Sequence, residues 1–259
     1  MKLTFLGTGT SFGVPVIGCD CDTCTSSDVR DRRTRHGAIV ETEQGRLLVD
    51  TPPELRLQLL AAGIDSVDAV WFTHVHADHV HGIDDVRAFT VRHNGDMPAY
   101  VAPEYRSTIE RHFRYIFDES MQPPIGSSKP RIRLHDLELG RPIDLIGRSF
   151  IPFAVPHGDC SVYGFRVGKL GYVTDAKMLP DEALGVLEGV DTLVLNALWF
   201  GRPHGSHFNV EEAVEASRAV GARRTYLTHL THRVRHAELE ERLPSGVLGA
   251  YDGLTVEVE

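Results

Sequence analysis

Residues 69–79, Ala-Val-Trp-Phe-Thr-His-Val-His-Ala-Asp-His, constrain this chain more than any other stretch. An apolar run of strand character, Ala69–Thr73, leads straight into four potential metal ligands, His74, His76, Asp78 and His79. On a turn leaving a strand, His74 and His76 share a face, because alternate residues point the same way. A helix starting there projects Asp78 and His79 at a different angle. One short segment can therefore serve two ions side by side, and imidazole with carboxylate suits zinc, manganese or iron. A scaffold that uses such a segment must bring strand ends to a common cleft.

The rest of the chain supplies the strands. Lys2–Leu6, Ala38–Glu41 and Leu47–Val49 read as strands, followed by a helix over Pro53–Leu60 with proline in its first turn and Gly63 just past its end. Tyr100–Ala102 reads as a strand and Glu104–Phe117 as a helix. Strands follow at Phe150–Val155, Tyr163–Val167 and Tyr172–Thr174, the last two joined by a Gly-Lys-Leu-Gly turn. A helix from Pro180, the strand Thr192–Asn196, the helix Val210–Val220 and the strands Thr225–Thr228 and Leu254–Val258 complete the order. Such alternation predicts a layered α/β architecture, and a chain of 259 residues, 42% hydrophobic, suits a single domain over 1–259. Asp118–Pro130 reads as a surface loop after a helix whose aromatic face packs into the core; the alternative is a lid over the site, with Tyr115, Phe117 or Met121 touching the substrate.

The pattern His-x-His-x-Asp-His after an apolar strand resembles the signature of the metallo-β-lactamase superfamily, and the resemblance extends over nearly the whole chain. It implies an αββα four-layer sandwich of two mixed sheets flanked by helices. It also implies ligands at the ends of later strands, matched here by His157 in Val-Pro-His-Gly, Asp175 in Tyr-Val-Thr-Asp-Ala and His229 in Tyr-Leu-Thr-His-Leu. In the family pattern, His74, His76 and His157 hold the first ion, Asp78, His79 and His229 hold the second, and Asp175 bridges them. Asp50, in Leu-Leu-Val-Asp-Thr, matches an aspartate that orients a ligand instead of binding metal.

Three of the four cysteines crowd into Cys19-Asp-Cys21-Asp-Thr-Cys24. Three thiolates and one imidazole complete a tetrahedral zinc site, whose binding energy becomes folding energy for the loop. A redox pair of Cys21 and Cys24 leaves Cys19 unexplained; free thiols are the other reading. The spacing resembles the PhnP-like phosphodiesterases, which carry a structural zinc whose fourth ligand lies three residues after the last catalytic histidine. Here that residue is His232. Cys160 has no evident partner. The opening Leu-Gly-Thr-Gly-Thr-Ser, the segment Asp50–Arg56 and the segment His81–Arg87 look familial too.

The resemblance implies two catalytic divalent metals, zinc or manganese, beside the one structural zinc. It implies hydrolysis of small or cyclic phosphodiesters, of ribose cyclic phosphate or 2′,3′-cyclic nucleotide type, by water activated between the ions. Asp78 and His207 make up the implied catalytic pair beyond the other ligands. His207 protonates the leaving oxygen, with His204 as its alternative and Ser206 or Asn209 as caps of the helix that follows. A formal net charge of −9 argues against long nucleic acid as partner and leaves a small anionic phosphodiester as substrate. The run Arg30–Arg35 reads as solvated and Lys177 as an exposed lysine, with a contact to substrate phosphate as the alternative for each. No apolar run reaches the length of a membrane span, and no signal-like stretch opens the chain, so a cytoplasmic location is expected. A homodimer is implied by resemblance only. Three other readings share the sequence: a tRNA-processing endonuclease, a thioester or lactone hydrolase, and a non-catalytic accessory of cofactor biosynthesis. The first needs a basic substrate arm, the second turnover of acyl substrates, and the third the loss of some ligands.

Overall fold

The computed structural model describes residues 1–259. The first half of the chain forms β1 (Lys2–Gly7), β2 (Gly37–Thr42), β3 (Gly45–Val49), α1 (Leu55–Ala61), β4 (Ala69–Trp71), α2 (Ala77–Val80), α3 (Arg87–His93), β5 (Met97–Val101), α4 (Pro103–His112), α5 (Arg114–Phe117) and β6 (Ile132–Asp136). The second half forms β7 (Ile143–Leu145), β8 (Arg148–His157), β9 (Cys160–Val167), β10 (Leu170–Tyr172), α6 (Asp181–Leu187), β11 (Thr192–Asn196), α7 (Val210–Val220), β12 (Arg224–Thr228), α8 (His236–Arg242), β13 (Val247–Gly249) and β14 (Thr255–Glu257). Two seven-stranded sheets result, ordered β14-β1-β2-β3-β4-β5-β6 and β13-β12-β11-β10-β9-β8-β7. In each sheet the strands from one edge pair antiparallel and those toward the other edge parallel. This is the αββα sandwich of mixed sheets with flanking helices.

Burial explains the strand sequences. The parallel strands β4 and β11 are buried at every residue, as continuous apolar runs covered on both faces should be. The larger core cluster joins Leu3, Phe5, Ile39 and Trp71 of one sheet to Phe150, Phe165, Tyr172 and Val194 of the other. Aromatic rings fill its centre: Trp71 meets Phe165 edge-on at 5.0 Å, and Phe165 stacks on Tyr172 at 5.2 Å. The buried Trp71 indole donates to the Tyr163 carbonyl at 2.9 Å and so bolts the sheets together. Trp71→Ala would cost on the order of 3–5 kcal/mol. A second cluster seats helices on the other sheet through Leu187, Val210 and Leu239 against Leu193 and Leu195.

Several details depart from the sequence reading. The helix expected over Glu104–Phe117 breaks at Phe113 (φ −112°, ψ 41°) into α4 and α5. The break lets Phe113 meet His81 edge-on at 5.9 Å while Ile116 stays in the core. The β9–β10 hairpin is tighter than expected: Gly168, at φ +54°, opens a two-residue turn, and the partner strand ends at Tyr172 instead of Thr174. The parallel-side edge strands β6 and β13 and the short strand β7 are additions to the sequence expectation, as are the helices α3 and α8, while α2 is the helix expected to carry Asp78 and His79. Asn209 caps α7 through a full capping box with Glu212, and Ser206 does not. No helix is long and apolar enough to cross a membrane.

Candidate metal centres and the cleft between the sheets

Strand ends deliver the expected ligand residues. The chain leaves β4 through Phe72 and Thr73 into His74 and His76, and α2 then carries Asp78 and His79. His157 is the last residue of β8. Asp50 and His229 follow β3 and β12 directly, and Asp175 follows β10 after Val173 and Thr174, each with a left-handed backbone at φ 62°, 57° and 55° respectively. A residue with a Cβ in that region costs about 1–3 kcal/mol, so the turns are imposed by their surroundings for the sake of where the side chains go.

The structure brings all seven expected residues together. Three overlapping groups, His74–His76–His157, His74–His79–Asp175 and Asp78–His79–His229, each have ligand atoms within 4.8 Å of one another. Asp175 sits between them: its carboxylate oxygens lie 2.9 Å from His79 Nε2, 3.1 Å from His229 Nε2 and 3.5 Å from His74 Nε2. Burial alone would raise the Asp175 carboxyl, but His229 and His79 hold it well below the usual carboxylate range. Burial, reinforced by His79, keeps His74 well below the usual imidazole value and thus neutral, the form that can ligate.

Neighbours fix the rings. Asp50 accepts from the Thr73 backbone N–H at 2.8 Å, from the Thr73 hydroxyl at 2.8 Å and from His79 Nδ1 at 2.7 Å. His79 is thereby held with Nε2 toward Asp175. His157 Nδ1 donates to the Ser206 carbonyl at 3.1 Å, which turns its Nε2 toward the cleft. The residues fit a pair of cations on one further observation: His79 Nε2 and His229 Nε2 are buried without a properly aligned hydrogen bond despite the nearby carboxylate. Orphaned buried imidazole nitrogens are costly in a protein interior unless something accepts their lone pairs.

His36 is a site residue that the sequence reading missed. It is fully buried behind the cluster, with Nε2 2.7 Å from the Tyr172 hydroxyl, Nδ1 3.3 Å from Thr228 Oγ1 and its ring 5.7 Å from that of His79. Burial, with His79 and His229 beside it, lowers its pKa to about 3. Its flanks, Arg35 and Gly37, carry no pattern that could have flagged it.

The cleft has a volume of about 580 Å³. His76, Asp78, His157, Asp175, His207 and His229 line its floor. His207 Nε2 is 3.5 Å from Asp175, and its ring stacks on that of His229 at 5.1 Å. His204 stands one step farther out, its Nδ1 3.3 Å from that of His207. The alternative substrate contacts read from the sequence do not line the cleft. Lys177 is ion-paired to Glu212 at 2.7 Å. Lys129 closes the Asp118–Pro130 loop on itself by donating to the Asp118 and Met121 carbonyls, and no residue of that loop lines the cleft. Tyr115 donates to Asp84. The arginine run is largely built into the fold: Arg30 pairs with Asp28 and Glu240, Arg35 with Glu54, and Arg33 is buried. Arg33 pairs with Asp31 at 3.0 Å and donates to the Thr231 and Val234 carbonyls at 2.7 and 2.9 Å. The solvated run expected from sequence is thus in part an internal brace.

His157, Asp175 and His207 converge in the same way, and Cys19, Cys21, Cys24 and His232 form a separate group, again with ligand atoms within 4.8 Å. His232 Nδ1 is 3.3 Å from Cys19 Sγ and 3.5 Å from Cys21 Sγ. The Cys24 backbone N–H brings the Cys21 thiol down to about 6, while burial pushes Cys24 up to about 11. Cys160 is apart from this group, its thiol directed to the His157 carbonyl at 3.1 Å.

Comparison with known proteins agrees with this geometry. A family model described as Beta-lactamase superfamily domain matches residues 45–230. The solved structure of a new diphosphatase from the PhnP family superposes with a TM-score of 0.90 at 38% identity, covering 100% of this chain and 98% of that one. An octanoyltransferase of Porphyromonas gingivalis is 33% identical over 261 residues, spanning 100% of this chain and 52% of that protein. A Ribonuclease Z of Bradyrhizobium sp. is 29% identical over 174 residues, 64% of this chain and 54% of that protein. The chain spans about half the length of these curated relatives. Matched by sequence over residues 45–230 and in three dimensions throughout, the chain belongs to the beta-lactamase superfamily, as a PhnP-like member with the fold of its metal-dependent hydrolases.

Proposed function

We propose that the protein is a phosphodiesterase acting on small or cyclic phosphodiesters, and that the convergent histidines and aspartates hold two divalent cations. The observation that carries the reading is the full-length likeness to a PhnP-family diphosphatase together with a small cleft lined by His76, Asp78, His157, Asp175 and His229. His74, His76 and His157 would hold one ion, Asp78, His79 and His229 the other, with Asp175 shared. Zinc or manganese there would supply Lewis acidity, lowering the pKa of water toward neutrality and offsetting charge on phosphoryl oxygens.

The chain's own residues do the positioning. Asp50 and the Ser206 carbonyl lock the His79 and His157 rings, and such partners are worth about 10–100-fold in metal affinity or activity. His207, at the cleft-facing side of Asp175, is placed to carry a proton at Nε2 and deliver it to the leaving oxygen, a contribution of about 10²–10⁴ in rate. Cys19, Cys21, Cys24 and His232 would hold a structural zinc that ties the N-terminal loop to the segment bearing His229.

A diphosphate linkage is a second reading, favoured by the activity named for that solved relative. Its phosphate leaving group is a weaker base than a sugar alkoxide and needs less protonation. His207→Gln therefore separates the two: about 10²-fold or more lost on an alkyl diester but little lost on a diphosphate. Protein reconstituted with zinc or with manganese should be tried on 2′,3′-cyclic AMP, a dinucleoside diphosphate, a thioester and a lactone. Turnover confined to the thioester or lactone would overturn the proposal. Metal analysis should find three equivalents in the wild type and two in Cys21→Ser.

A further inference from the structure

The outer half of the cleft holds groups that hydrolysis at its floor does not use. Phe12, on the N-terminal loop, lines the rim with 73% of its surface exposed. Across the same cleft lie Trp199 and Arg233, the guanidinium 4.7 Å above the indole ring. That guanidinium pairs with no carboxylate, in a protein whose formal net charge is −9.

The rim is held rigidly. The Thr231 hydroxyl donates to the Leu198 carbonyl at 2.8 Å, and the Leu230 N–H to the Thr8 carbonyl at 2.8 Å. The cysteine–histidine cluster joins the loop behind Phe12 to His232, the neighbour of Arg233. An exposed aromatic and an unpaired cation, lining a cleft that the reading above assigns to phosphoryl chemistry, match the two parts of a nucleotide. Planar bases stack on exposed aromatic faces, and arginine both stacks and takes negative charge.

We propose that Phe12, Trp199 and Arg233 form a nucleotide subsite, in which a planar base lies against Phe12 and Arg233 meets phosphate charge. The proposal rests on the phosphodiester reading above and specifies the organic part of its substrate. A built-in reporter exists, because the only other tryptophan, Trp71, is fully buried while Trp199 lines the cleft.

Tryptophan fluorescence of the metal-loaded protein, titrated with AMP, adenosine and ribose 5-phosphate, tests it. AMP should bind more tightly than ribose 5-phosphate, and Phe12→Ala should reduce that preference at least about fivefold. Arg233→Gln should weaken AMP more than adenosine. Equal affinity for AMP and ribose 5-phosphate, or an unchanged preference in Phe12→Ala, would overturn the subsite. So would a Phe12→Ala protein that changes from dimer to monomer in sedimentation and keeps its AMP preference, since Phe12 and the 99% exposed Ile17 would then belong to an interface between copies. Base-selective binding without turnover of any phosphodiester would leave the subsite standing and remove the proposed reaction. Turnover without base selectivity would do the reverse.

Discussion

The two halves of the molecule are built alike and used differently. Counted from the antiparallel edge, β3 and β10 hold the same place in their sheets, and each runs into an aspartate with a left-handed backbone, Asp50 and Asp175. Each kink is pinned from the adjacent strand: Thr73, just after β4, binds the Asp50 carboxylate, and Asn196, at the end of β11, binds both the N–H and the carbonyl of Ala176. Yet Asp50 is enclosed by Thr73 and His79, whereas Asp175 opens on the cleft amid imidazoles. One backbone device thus serves once to steady an imidazole ring and once to present a carboxylate to the cleft. The difference lies in what the neighbouring loops contribute, not in the strands.

Mutations can break or sharpen this contrast. The largest effect is expected from Asp175→Asn, which removes charge shared by the whole cluster. Several kcal/mol of transition-state stabilisation is at stake, a loss of about 10³-fold in kcat/KM. Asp50→Asn should cost less, about 10–100-fold in metal affinity measured by chelator competition, because its role passes through the His79 ring. Equal losses at the two positions would erase the distinction. Asn196→Ala strands two buried backbone groups at Ala176 and should cost about 1–3 kcal/mol in denaturant unfolding, with some loss of activity through Asp175.

The smallest effect concerns His36, which reaches from the first half to Tyr172 and Thr228 of the second. Its folded pKa is about 3, below the unfolded value near 6.5. Unfolded chains therefore take up a proton that the folded one refuses, so stability is full above pH ~6.5 and falls as the pH drops toward about 3. The slope is at most about 1.4 kcal/mol per pH unit in metal-free protein. His36→Gln should flatten the acid limb of a melting-temperature profile between pH 6.5 and 5. An unchanged limb would show that His36 is not what ties acid sensitivity to the seam between halves.

Legibility followed locality. The segment Thr73–His79 could be read from sequence because strand, turn and helix place four side chains without long-range help. His157, Asp175 and His229 stand singly at strand ends, and only an ordered family pattern picks them out. Asn196, Arg33 and His36 were silent, since their roles lie in contacts with residues distant in sequence. The strands β7 and β13 have three residues each, too few to display a period, and α8 buries only His236 and Leu239 of its seven.

The pairing of β14 with β1, Lys2 opposite Glu257, has a consequence for how the molecule comes into being. The sheet of β1 is completed by a strand far away in sequence, so β1 keeps an open hydrogen-bonding edge until β14 has been made and has docked. Contacts of such sequence separation form slowly, and an unpaired edge invites strands from other chains. Forms in which β14 is not yet made or is undocked would therefore expose β1 to pairing with other chains.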